Sequence, residues 1–249
     1  MSSISGLVSI SFRKHSPEEI ISRVKSAGLE AIEWGGDVHS PHGDLETAKS
    51  IRSMTEKAGL LMPEYGSYYI IGKSEPELFS AVLDSANALG TKIIRVWPGM
   101  GMPSDTISNE QYEAMVADAK RICLLAKDFT VALECHPASL TDEYHNALAF
   151  IRDVGMDNLK MMWQPNQYRP LEYNLDSIKA LLPYVVSVHV FHWSRKTRLP
   201  LSEGRAEWEK YISLLSAKDL NYMLEFMPDD NIDTLAREAR ELKELLSVV

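Results

Sequence analysis

The sequence is poor in cysteine, in positive charge and in long apolar runs, and each shortage narrows what it can be. Its two cysteines, Cys123 and Cys135, lack the paired spacing of a metal site and point to a reduced compartment. Asp and Glu outnumber Lys and Arg by 35 to 26, a formal net charge of −9. A molecule of that charge offers nucleic acid and anionic membranes no overall attraction. Met1 leads into Ser2, Ser3, Ile4 and Ser5 without a basic region, and no later stretch approaches the length of a membrane span. A soluble cytoplasmic protein is the expectation. No linker or break in composition divides the chain, so residues 1–249 are read as one domain. The first strand is followed by Phe12-Arg13-Lys14-His15-Ser16 instead of a glycine-rich phosphate loop, which argues against an open doubly wound sheet.

Regular alternation is what the chain does have. Apolar stretches of strand length fall at 6–12, 31–34, 60–65, 92–97, 131–137, 159–163, 185–190 and 222–226. Between and after them lie helical patterns at 16–28, 45–58, 75–89, 109–127, 141–154, 175–182, 208–216 and 233–246. Ser16-Pro17-Glu18-Glu19 carries an N-cap, a proline in the first turn and two acids, and Gly90 follows the third helical pattern as a C-terminal signal. Eight strand–helix units in 249 residues predict an α/β fold, a closed (β/α)8 TIM barrel with parallel strands and right-handed crossovers.

In such a barrel the site forms where the strands end. The stretch Val131-Ala132-Leu133-Glu134-Cys135-His136-Pro137 opens as a buried strand and then puts Glu134 and His136 on one face, two residues apart. A carboxylate there is costly to bury unless it is paired or bound to a metal. The other ends supply Glu33, Trp34, Glu64, Tyr65, Arg95, Trp97, Gln164, His189 and Glu225. Five of the seven histidines (His39, His42, His136, His189, His192) and four of the five tryptophans (Trp34, Trp97, Trp163, Trp193) lie at or just past these ends. Glu134, Gln164, His189 and Glu225, one from each of four successive strands, make an oxygen-rich set with one nitrogen. Such a set suits Mn²⁺ or Mg²⁺ and tolerates Zn²⁺ or Co²⁺. The alternative is a dry ion network in which the two glutamates pair with Arg95, Arg195 or a histidine.

Five segments in order, AIEWGGDVHSPHGD, VALECHPASLTDE, VSVHVFHW, LPLSEGRAEW and LEFM, resemble the xylose-isomerase-like barrels, a sugar (phosphate) isomerase and epimerase group. The resemblance spans essentially the whole chain. In that group a glutamate, an aspartate, a histidine and a glutamate on strands five to eight hold a divalent metal, and by position these fall on Glu134, Gln164, His189 and Glu225. The aspartate is therefore Gln164 here, and the histidine that often follows it by three is Gln167. The resemblance implies a metal-dependent sugar isomerase or epimerase that works through an enediolate, with Glu134 and Glu225 as the acid–base pair. His136, Arg195, Trp34, Trp193, His39 and Gln167 become the expected substrate contacts. Two alternatives follow: a dehydratase of an inosose or dehydroshikimate-like cyclic ketone, with His136 or His39 as the added acid, and a sugar-binding barrel without catalysis. The implied partner is a small carbohydrate, with no nucleic acid and no membrane. Barrels of this group commonly pair, so a homodimer is in keeping with it.

Overall fold

The computed structural model describes residues 3–247. In chain order the strands are β1 (Ile4–Val8), β2 (Ala31–Gly35), β3 (Glu64–Ile71), β4 (Ile93–Pro98), β5 (Thr130–Glu134), β6 (Leu159–Trp163), β7 (Val185–Val190), β8 (His192–Ser194), β9 (Thr197–Leu199) and β10 (Asn221–Leu224). All but β8 and β9 are parallel and close into one barrel, with β10 pairing back onto β1. The helices are α1 (Pro17–Ser26), α2 (Leu45–Lys57), α3 (Leu78–Leu89), α4 (Asn109–Leu125), α5 (Tyr144–Val154), α6 (Leu171–Leu181), α7 (Arg205–Leu215) and α8 (Leu235–Leu246). The expected (β/α)8 barrel is what the chain forms. Among the described residues no helix is long and apolar enough to cross a membrane.

Local sequence sets the helix ends. Ser16 and Glu19 cap α1 reciprocally, with bonds of 3.3 and 2.9 Å and Pro17 in the first turn, and Ser108 and Gln111 do the same for α4. The outward strand residues, among them Ile32, Trp34, Ile94, Val96, Leu133, Met161, Trp163 and Leu224, pack with the helices into one large buried cluster. Inside the barrel one apolar cluster is small, made of Val8, Ile10, Ala31 and Met223 with Ile4 and Phe226 against them, and Ala132 and Met162 add buried apolar surface on the inward faces of β5 and β6. Gly6 is required there, because a Cβ would lie 2.6 Å from the Met223 methyl and 2.7 Å from the Ala31 carbonyl oxygen.

Three boundaries differ from the sequence expectation. The first strand stops at Val8, and Ser9–Phe12 turns as a 3-10 helix over the barrel mouth. It is held by Gly35 N–H donating to Ser9 Oγ and Phe226 N–H donating to Ser11 Oγ, each at 2.9 Å. Strand β3 runs to Ile71 instead of ending at Tyr65, so Glu64 sits at its start, deep in the barrel. The segment after β7, expected to be a loop, folds into the β8–β9 hairpin.

The remaining interior is charged. Glu33, Glu64, Arg95, Glu134 and His189 are each at least 97% buried. Glu64 accepts a 2.8 Å bond from Ser187 Oγ across the barrel, and its other oxygen has no partner. Burial, then the charge of Glu33, pushes Glu64 up to about 8 from an ordinary value near 4.5. The stability contributed by neutral Glu64 is therefore complete below the ordinary value and is lost as pH rises through about 8. Glu64→Gln, neutral throughout, should gain on wild type by on the order of a few kcal/mol between about pH 5 and about pH 9. Thermal melts across that range check this; parallel curves would show that Glu64 is not the group taking up the proton.

Candidate active site

The barrel mouth holds a cavity of about 500 Å³ whose floor and walls include Arg95, Trp97, Glu134, His136, Gln164, Gln167, Trp193 and Glu225. Ligand atoms of Glu134, His189 and Glu225 all lie within 4.8 Å of one another, and all three side chains are buried. His189 Nδ1 is 3.8 Å from Glu134 Oε1 and 3.6 Å from Glu225 Oε2. Its other nitrogen, Nε2, is 2.9 Å from Glu33 Oε2. A carboxylate behind one ring nitrogen fixes the ring and leaves the other nitrogen facing the cluster, the arrangement typical of a metal-binding histidine.

Two orphaned atoms test whether a cation fits. His189 Nδ1 and Gln164 Oε1 are both buried without a hydrogen-bond partner. Buried polar atoms are rarely left so, and these two belong to the ligand set read from the sequence. Gln164 also borders a narrow cavity of about 20 Å³ between β5 and β6, so its amide lies between the two spaces. Two carboxylates, an imidazole nitrogen and an amide oxygen fit a hard or borderline divalent ion.

The two glutamates are held differently. Glu134 Oε2 accepts a 2.9 Å bond from Arg95 Nη1 and a 2.6 Å bond from Trp97 Nε1. The Arg95 guanidinium lies 4.1 Å from the Trp97 ring centroid, so the two donors brace each other. Burial opposes ionisation of Glu134, but Arg95 foremost, then His189 and His136, hold its carboxyl below the ordinary range. Glu225 has no such clamp. Burial, then the charge of Glu134, pushes it up to about 7 against the pull of His189. Burial disfavours the His189 imidazolium, yet Glu225, Glu33 and Glu134 outweigh it and push His189 up to about 10.

Of the other expected contacts, His136, Gln167 and Trp193 line the cavity. Three do not. Trp34 is fully buried on the outer face of β2, where strand alternation sends it to the helix layer while Glu33 points inward. His39 packs edge-on against Trp34 and bonds Ser9 Oγ at 3.1 Å and the His15 carbonyl oxygen at 3.2 Å, a structural role under the β2 loop. Arg195 sits exposed at the turn of the β8–β9 hairpin and borders a neighbouring hollow.

The family model for xylose isomerase-like TIM barrels matches residues 21–246. The chain belongs to this family. A search of curated proteins returned no significant match. Among solved xylose isomerase-like and related barrels, the probable 3-DHS dehydratase AsbF of Bacillus anthracis is similar at 23% identity and a TM-score of 0.83, over 98% of this chain and 99% of that one. D-psicose 3-epimerase of Clostridium cellulolyticum, solved with D-tagatose, is similar at 14% identity and a TM-score of 0.75, over 99% of each chain. A xylose isomerase-like TIM barrel protein of Mycobacterium smegmatis, solved with magnesium, is similar at 13% identity and a TM-score of 0.73, over 100% of this chain and 99% of that one. At these identities the likeness is one of fold.

Within this xylose isomerase-like barrel, sequence reasoning placed Arg95 and Trp97 at the strand ends and named Arg95 as a possible partner of the glutamates, but it gave Trp97 no bond to Glu134 and Tyr68 no role at all. Arg95 and Trp97 stand two apart on β4, beside the strand that carries Glu134, so alternation and adjacency were the available signals. Tyr68 escaped because β3 was ended six residues early, at Tyr65 instead of Ile71. Its ring lies edge-on to Trp97 at 4.9 Å, and its hydroxyl accepts a 2.9 Å bond from Arg13. A cation at His189 Nδ1 has to displace a proton, so affinity for Mn²⁺ should rise as pH climbs from about 6 to about 9. Glu33→Gln, which loosens the ring, should weaken binding by about 10–100-fold at fixed pH. Calorimetric titration with Mn²⁺ checks both, and unchanged affinity in the variant would detach Glu33 from the centre.

Proposed function

We propose that this chain is a metal-dependent sugar isomerase or epimerase, acting on a keto-sugar or its phosphate by moving a proton at the carbon beside the carbonyl. The observation that carries this reading is the convergence of Glu134, His189 and Glu225 within 4.8 Å at the base of a cavity of about 500 Å³. When bound there, held by these three and Gln164, a divalent cation supplies Lewis acidity toward the substrate's oxygens and stabilises negative charge as it develops.

The chain's own residues divide the remaining work. Glu225, which takes neither the Arg95 nor the Trp97 bond that Glu134 takes, is assigned the proton from carbon, accepting it as general base and returning it as general acid. Glu134, fixed by Arg95 and Trp97, is the second carboxylate of the acid–base pair: return of the proton to the neighbouring carbon isomerises the sugar, and delivery by the other carboxylate to the opposite face inverts the stereocentre. Tyr68, Trp97 and Trp193 wall the cavity and narrow water's access to the reacting carbon.

A second reading, a dehydratase of a cyclic ketone, draws on His136. Its Nδ1 is 2.7 Å from the Pro137 carbonyl oxygen, and its ring lines the cavity on the Glu134 side. An acid in addition to the base is what expulsion of a hydroxyl requires.

The test is deuterium uptake at carbon from D₂O on a panel of ketoses, with and without Mn²⁺. Cation-dependent exchange is expected, with Glu225→Gln slower by about 10²–10⁴-fold. Loss of water from a cyclic ketone without exchange on ketoses would move the assignment to the dehydratase. Sugar binding with neither reaction would leave a binding protein and end the enzyme reading.

A further inference from the structure

Beside the central cavity lies a second hollow of about 480 Å³, bounded by the β6–α6 connection, the β8–β9 hairpin and α7. The two share a wall of Gln167, Phe191 and Trp193. Each is large enough for a small ligand of its own, so a monosaccharide seated over Glu134 and Glu225 leaves the neighbouring hollow unfilled.

The dividing wall is firmly built. Trp193 packs against Phe191 and Phe226, with ring centroids 5.4 and 5.6 Å away, and the Arg198 guanidinium lies 5.3 Å from its ring. Arg198 is itself anchored by Asp230. The hairpin is seated tightly on the turn before α7: a Cβ on Gly204 would come within 2.4 Å of the His192 ring. Trp193 Nε1 is nevertheless buried without a partner, an unused donor in a wall between two hollows.

The lining also indicates what the hollow accepts. Arg169 is taken up by Glu143 and stacks on Tyr173, and the lining carries Glu207 as well as Arg195, so the space does not present the concentrated positive charge an anion needs. It offers instead an indole, the amide of Gln167 and an imidazole, while the Asn166 amide is already bonded to the Asp142 carbonyl oxygen and the Tyr168 N–H. Aromatic surface with amide donors and acceptors suits a neutral polyhydroxylated ring, which has apolar faces and a polar rim.

We propose that this hollow is a second saccharide subsite, and that the substrate is a keto-sugar carrying a glycosidically linked neutral ring that straddles Trp193. The inference rests on the reading of the central cavity as the keto-sugar site. It also gives a place to Arg195, which stands outside the central cavity yet on the edge of this one.

Binding tests it, independently of turnover. The Mn²⁺-loaded full chain is titrated calorimetrically with D-fructose and with the four fructose-terminated glucosides turanose, maltulose, leucrose and isomaltulose. At least one disaccharide should bind about tenfold more tightly than fructose. Leu199→Trp, which fills the hollow from β9, should bring that ratio to about one. Arg195→Ala, at an exposed turn that carries little of the fold, should lower it by about threefold. A ratio near one for all four sugars in wild type, or a ratio that both variants leave unchanged, overturns the subsite. Deuterium exchange on the same sugars separates the two readings: tighter disaccharide binding without exchange keeps the subsite and removes the reaction, and exchange without tighter binding does the reverse.

Discussion

Ionised groups inside the barrel have to be held against the cost of leaving water, and most of what is unusual in this structure follows from that. A carboxylate alone in such a place would be driven neutral or would destabilise the fold by several kcal/mol. Here Glu33 stands against His189, and Glu134 against Arg95 and Trp97. Glu64, without a cation of its own, is driven toward the neutral acid. The apolar interior has shrunk to a small cluster on the β1, β2 and β10 side with Ala132 and Met162 on β5 and β6, and the fold relies on the cluster between strands and helices. Even Gly66 follows from the charges: a Cβ there would lie 2.5 Å from Glu33 Oε1 and 2.8 Å from Arg95 Nη2.

The same pairings create an inequality at the site. One carboxylate is fastened by two donors and the other by none, although both stand at strand ends and look alike in the sequence. A carboxylate held in place by two donors is positioned more rigidly than one that takes neither bond. The fold neighbours include both a dehydratase and an epimerase, so architecture alone does not choose between their reactions.

Much of this was legible in the residues. Alternation of strand and helix patterns yielded the barrel, and reading only the strand ends yielded Glu134, Gln164, His189 and Glu225, because parallel strands bring their ends to one rim. What failed was phase and boundary. Trp34 was assigned to the site from its place at a strand end, but it is one residue out of step with Glu33 and so faces the helices. Glu64 looked like a strand-end acid because the apolar stretch at 60–65 was read as the whole strand, whereas β3 begins at Glu64 and runs on to Ile71. Arg95 was named as a possible partner of the glutamates, but the Trp97 half of the clamp on Glu134 was hidden for a different reason. Donor geometry depends on how close β4 and β5 lie, and no periodicity reports that distance.

The β8–β9 hairpin hydrogen-bonds strand to strand only within itself and adds no strand to the barrel. Its residues can therefore be exchanged, lengthened or shortened without disturbing the register of the strands that present Glu134, His189 and Glu225. Reach and chemistry are thus written in separate parts of the chain. Changes within those eight residues, 192–199, reshape the Trp193 wall of the cavity while the barrel strands keep their pairing.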